Sequence, residues 1–170
     1  MVARIPNDFF KTWTSELAYV LGYWWADGGM LRTPLPSAFL RDFVRGFIDG
    51  DGSLYWLRTA VTTIPRLEAN GTQAFVVDLA LALEEAAGIP APRSRQHGKI
   101  WKTVWTGMYA KCLAAWLYSD NDLCLERKRQ VARTFLAGQP KIYRKRHITP
   151  KMCELFGYLL PEKHWHSQSE

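Results

Sequence analysis

Residues 21–28 read Leu-Gly-Tyr-Trp-Trp-Ala-Asp-Gly, and residues 45–52 read Arg-Gly-Phe-Ile-Asp-Gly-Asp-Gly. Each is a short apolar run with small residues four apart, Gly22 and Ala26 in the first, Gly46 and Gly50 in the second. Each ends in Asp-Gly. An aspartate at the carboxyl end of a helix is locally unfavourable, because the helix dipole already places partial negative charge there. Two such endings in one chain point to a cation at that place. Small residues at a spacing of four share one helix face and let two backbones approach closely. If the two helices lie side by side and parallel, Asp27 and Asp51 meet at one end. With the carbonyl oxygens freed at the helix termini, they form an oxygen-rich site suited to a hard cation such as Mg²⁺. Connectivity permits this: the 11-residue linker Gly28–Ala38 reaches about 37 Å, and the second helix is only about 18 Å long.

The surrounding chain reads as one α+β unit. Thr14–Ser15 to Ala26 is a helix ended by Gly28-Gly29, and Ser37 caps a second helix from Ala38 to Gly50. Residues 53–63 read as a strand that Pro65 breaks, with a second short strand at 66–70 and a turn at Asn70-Gly71. Residues 73–87 carry Phe75, Val76, Leu79, Leu83 and Ala86 at helical spacing. Strands over 92–97 and 99–106 form a hairpin around Gly98. Helices over 108–119, 123–137 and 150–160 follow. From Leu40 the order is therefore α-β-β-α-β-β-α-α, which predicts a four-stranded antiparallel sheet with helices on one face. Its other face is free to meet a partner. Arg93, Arg95 and His97 alternate, which points all three to one side. A solvated edge hairpin accounts for that alternation equally well.

Composition narrows the class. The 170 residues are 48% hydrophobic, 22% charged and 14% aromatic, with a net charge of +6. That is a chain able to bury a core, and no apolar run reaches the ~20 residues of a membrane span. The N-terminus lacks the apolar core of a secretory signal. The three cysteines are scattered with no CxxC, an expectation of reduced thiols and an intracellular, non-secreted location, cytoplasmic or with the genome of its host or organelle. The basicity is local: residues 1–126 carry 12 Lys/Arg against 13 Asp/Glu, whereas 127–151 carry nine Lys/Arg and no acid. This suits a polyanion; a solvated basic tail explains it as well. The chain divides into an N-terminal segment with the first motif helix (1–38), a sheet-bearing domain (39–138) and a basic C-terminal tail (139–170).

The doubled motif resembles that of the LAGLIDADG homing endonucleases. Gly22-Tyr-Trp-Trp-Ala-Asp27-Gly28 is similar to one copy and Gly46-Phe-Ile-Asp-Gly-Asp51-Gly52 to the other, with Trp25 standing where the second copy has Asp49. The preceding Asn7-Asp8-Phe9-Phe10, Ser15-Glu-Leu-Ala-Tyr and Phe39-Leu-Arg-Asp-Phe-Val-Arg agree. So do Leu117-Tyr-Ser-Asp and Leu125-Glu-Arg-Lys. The resemblance implies a saddle-shaped sheet on duplex DNA and Mg²⁺ or another divalent cation held by Asp27 and Asp51. It implies metal-dependent hydrolysis of phosphodiesters, with Asp49 in support. Lys128, or Arg127, is the basic group that stabilises the transition state, and Asn70 and Thr72 orient water. In the family's register Tyr55, Leu57 and Thr59 face DNA, and base reading rests on Arg93, Arg95, His97 and Lys102, with Arg58 and Arg66 as alternates. Only Met30–Ala38 separates the two motifs, so the first saddle is missing. The expectation is a homodimer that restores two saddles through Gly22, Ala26, Gly46 and Gly50. The alternative is a catalytically inactive DNA-binding regulator or splicing cofactor on the same fold. A third reading is a small module that binds other proteins through its aromatic surface.

Overall fold

The computed structural model describes residues 11–26, 35–118, 123–138 and 148–159. Within them the chain is α+β, with a four-stranded antiparallel sheet and six α-helices. Helix α1 is Ser15–Ala26 and α2 is Leu40–Asp51. Thr14 opens α1 by accepting the Leu17 amide at 3.1 Å. Ser37 does not cap α2 as its residue type suggests. It sits inside a 3-10 turn, Ser37–Phe39, that leads into the helix. Gly50 does not end α2 either: the helix runs on to Asp51, and Gly52 closes it by donating to the Ile48 carbonyl at 3.0 Å.

Strands β1 (Ser53–Arg58) and β2 (Thr63–Gly71) form a hairpin, and helix α3 (Gln73–Ala87) follows. Then come β3 (Arg95–His97) and β4 (Ile100–Thr106), helix α4 (Met108–Leu117), α5 (Glu126–Ala137) and α6 (Pro150–Phe156). The sheet order is β1-β2-β4-β3. Pro65 does not break the strand as expected: it lies within β2, opposite Trp56. The ladder to β4 begins one residue later, at Arg66↔Thr106. The Pro65 carbonyl points past the start of that ladder, where it accepts the Gly107 amide at 2.9 Å. The amide hydrogen that proline lacks belongs to the same side, so the pairing with β1 loses no bond.

Register assigns the two faces. Leu67, Ala69, Thr103 and Trp105 are fully buried on one face, under the helices. Thr103 fixes that layer by donating to the Val76 carbonyl of α3 at 3.2 Å. The opposite face carries Tyr55 across from Arg66, Asn70 across from Lys102, and Lys102 across from Arg95. Helix α3 has both expected ends: Thr72 accepts the Phe75 amide, and Gly88 takes the left-handed conformation at φ 69°. This is the position where glycine costs least.

Candidate functional site

Helices α1 and α2 pack backbone on backbone. A Cβ placed on Gly22 would stand 1.9 Å from the Phe43 carbonyl oxygen and 2.9 Å from the Phe47 amide nitrogen. One placed on Gly46 would stand 1.9 Å from the Tyr19 carbonyl oxygen and 2.9 Å from the Tyr23 amide nitrogen. Farther along, the site for a Cβ on Gly50 lies 2.6 Å from the Cβ of Ala26. The contacts climb both helices together, so the pair is parallel, and each half maps onto the other by the same sequence offset. Glycine and alanine are required because any larger side chain would drive the helices apart.

Parallel packing brings the two carboxyl ends together. Asp27 lies outside the described residues, and Ala26, just before it, is packed on Gly50, just before Asp51. Asp51 is exposed at the end of α2. It borders a cavity of about 300 Å³ with Trp25, Ala26, Phe47, Asn70, Gly71, Thr72 and Phe75. Asn70 reaches from β2 to donate to the Asp51 carbonyl at 2.9 Å, while its own amide oxygen is buried with no hydrogen-bond partner. Thr72 is the N-cap of α3, so the electropositive start of that helix opens on the same cavity. Trp25 does not act as a ligand: its ring stacks on Phe75 at 5.9 Å and meets Phe43 edge-on.

Lys128, on α5, is buried and donates to the carbonyls of Ile48, Asp49 at 2.9 Å and Gly52 at 2.8 Å. Three donors thus meet carbonyls at the end of α2, where helices leave acceptors unsatisfied. Burial pushes its pKa down to about 8, and the neighbouring Arg127 adds to that, while the carboxylates of Asp49 and Asp51 pull upward. With its ammonium bonded to these carbonyls, Lys128 holds the end of α2 in place. Asp49 has the same kind of task. Its buried carboxylate accepts the Tyr19 hydroxyl at 2.9 Å, the Tyr118 hydroxyl at 2.7 Å and the Leu125 amide at 2.7 Å. It thereby ties α1, the end of α4 and the start of α5 to α2. Desolvation, then the Asp49 charge, raises the pKa of both tyrosines. Arg45, also buried, donates to Asp42 at 2.5 Å and to the Leu117 and Leu123 carbonyls.

The open sheet face forms a groove of about 680 Å³. Arg66, Arg93, Arg95, His97 and Lys102 all line it. Arg93 does so from the segment before β3, not from the strand, which begins at Arg95. Arg58 is the exception. It follows Leu54 and Trp56 on the helix-covered face at the end of β1, so it is turned from the groove. Tyr55 and Leu57 fall on the open face, and Thr59 lies beyond β1. Asn70, opposite Lys102 on the open face and bonded to Asp51, lines the cavity.

Sequence reasoning missed Glu68, which sits in the groove among the cations, and the buried roles of Asp49 and Arg45. The first was visible as alternation: Arg66, Glu68 and Asn70 share one strand face. The second was not, because burial of a motif residue depends on partners 69 to 78 positions away.

The donor set suits a hard cation. An exposed carboxylate and an unpartnered buried amide oxygen supply oxygen only, as Mg²⁺ requires. Among the described residues no three His, Cys, Asp or Glu converge, so the described donors for an ion beside Asp51 are carbonyl and amide oxygens. No protein-family model matches the chain, and no curated protein matches it at a significant level.

Proposed function

We propose that this protein is a homing-type DNA endonuclease of the LAGLIDADG kind, which holds duplex DNA on the open face of its sheet and hydrolyses phosphodiesters at the paired helix ends. The observation that carries this is the glycine-packed, parallel α1–α2 pair, whose Asp51 end is bonded by Asn70 to β2, the strand that brings Arg66 to a groove lined with five basic side chains. In this reading the basic side chains face the duplex, some neutralising phosphates to fix its register and others meeting base edges. Asp51 and Asp27 would hold a divalent cation, whose Lewis acidity would activate water toward the phosphate. Lys128 keeps the end of α2 from drifting, and Asn70 holds the Asp51 main chain. Purified protein, offered a selected duplex library with Mg²⁺ or Mn²⁺, is expected to cut one long site. Asp51→Asn is expected to bind the site and leave it intact. Absence of cutting by the wild type, with Asp51→Asn binding equally well, would remove catalysis from the proposal.

That outcome would favour the second reading, a DNA-binding regulator or splicing cofactor, which one observation supports: Trp25 packs as an aromatic wall where the other motif copy has an acid.

The proposed homodimer needs a surface other than the one expected. Gly22, Ala26, Gly46 and Gly50 are consumed within the chain by the α1–α2 contact. The face of α1 that remains carries Val20, Tyr23 and Trp24, 40%, 39% and 60% exposed. Their counterparts under the helix-pair offset are Val44, Phe47 and Ile48, all buried at 2% or less beneath their own sheet. A second copy meeting this face of α1 is the dimer we favour.

A further inference from the structure

Glu68 stands at the middle of the cationic groove, 8% exposed, on the strand that runs through the centre of the sheet. A carboxylate there opposes the attraction of phosphate, and its partners are specific. The Tyr55 hydroxyl donates to Oε1 at 2.6 Å, Lys102 Nζ is 3.6 Å from Oε2, and Arg66 Nε is 4.0 Å from Oε1. The Arg66 guanidinium also lies over the Tyr55 ring, 5.9 Å from its centre. The three side chains that flank Glu68 on the groove floor are thus held by it or by one another, whereas Arg93, Arg95 and His97 stand at the rim beyond its reach.

Resting on the DNA-binding reading above, we infer that Glu68 is a specificity-determining residue of the groove. It neutralises Arg66 and Lys102 toward phosphate and reserves their N–H donors for acceptors on base edges. Phosphate contacts carry no sequence information, and base-edge contacts do. A floor already neutralised from within the protein therefore weakens binding to arbitrary sequence, and the rim supplies the general attraction.

Salt dependence reads this directly, since each phosphate neutralised by a protein cation adds about 0.9 to the slope of log K against log salt. Fluorescence anisotropy with a mixed-sequence duplex is compared for the wild type and Glu68→Gln, which preserves shape and the Tyr55 bond. The variant is expected to bind more tightly at low salt, with a slope steeper by up to about 1.8. Its advantage then shrinks about tenfold between roughly 50 and 200 mM salt. Tyr55→Phe loses the hydrogen bond, retains the charge, and is expected to keep the wild-type slope. Equal slopes for wild type and Glu68→Gln overturn the inference, as does a slope equally steepened in Tyr55→Phe, which would mean a loosened groove. Should Glu68→Gln not fold, Lys102→Gln and Arg95→Gln test the same point with Glu68 intact. Lys102→Gln is expected to flatten the slope less, and equal losses overturn the inference. A wild-type protein whose duplex binding ignores salt overturns the DNA reading itself, before any variant is compared.

Discussion

Lys128 brings its buried ammonium to the carbonyls of Ile48, Asp49 and Gly52, so its removal strips a charged donor from all three, and Ile48 keeps only the Gly52 amide. Lys128→Met is expected to cost about 2–4 kcal/mol in urea unfolding at neutral pH, the range for a lost charged hydrogen bond plus the desolvated groups left behind. The pH dependence has a definite sign. The folded pKa is depressed to about 8 from 10.5. Between those values the unfolded chain binds more protons, and stability rises with pH. The burial penalty on the ammonium acts in full below about pH 8, where the carbonyl bonds outweigh it, and is relieved by about pH 10.5. Wild-type stability measured against Lys128→Met should therefore grow between pH 8 and 10. Tyr19 and Tyr118, whose pKa values are raised, pull the other way above pH 10, and the subtraction removes them. Asp49→Ala strips acceptors from two buried hydroxyls and one amide. Its expected cost is about 3 kcal/mol or more, visible as a lowered midpoint. A midpoint unchanged from wild type would remove Asp49 from its role as the tie among α1, α4 and α5.

At the level of elements, the α1–α2 pair is the most demanding contact. Gly22→Ala and Gly46→Ala each set a methyl 1.9 Å from a carbonyl oxygen of the facing helix. Backbone must move, and the cost is expected at or above the top of the ~1–3 kcal/mol range for overpacking. Gly50→Ala meets the Ala26 Cβ at 2.6 Å and is expected to be milder. Gly98→Ala meets nothing within 4 Å, and only its φ of 62° resists, for roughly 1 kcal/mol. Thermal midpoints that fail to fall in this order would refute parallel close packing as the source of the motif. These two helices were legible from sequence because glycine spacing reports a close approach without naming its partner. The start of α2, the place of Pro65 and the break before β3 were not. Each depends on where a neighbouring ladder begins or on a 3-10 turn, which local residue preference does not encode.

For the whole molecule, net charge and groove charge separate. Four of the nine cations in residues 127–151 are outside the described residues, and Lys128 within the run is buried. The groove draws its cations instead from β2, β4, β3 and the segment before β3. Substituting Arg66, Arg95 and Lys102 together by Gln is expected to flatten the salt dependence of duplex binding by up to about 2.7, one phosphate each. The Glu68 inference makes the loss smaller than that. Arg58→Gln, on the opposite face, is expected to leave the slope within error. Light scattering at micromolar concentration tests assembly. A dimer that dissociates on Trp24→Glu is expected, and a monomer with and without DNA would sink the dimer.

The sequence by itself determined the class: the α-β-β-α-β-β-α-α order, the doubled small-residue helices with terminal aspartates, and the alternation that sets Arg95 and His97 on one strand face. These are local periodicities of 2 and 3.6, written along the chain. Tertiary structure decided what each polar group of the motifs does. Asp49 and Arg45 lie inside, Lys128 is spent on carbonyls, Arg58 is turned away, and Glu68 is set among the cations. Those outcomes depend on contacts between residues far apart in sequence, where burial and partner geometry, rather than residue type, choose between a buried tie and an exposed site.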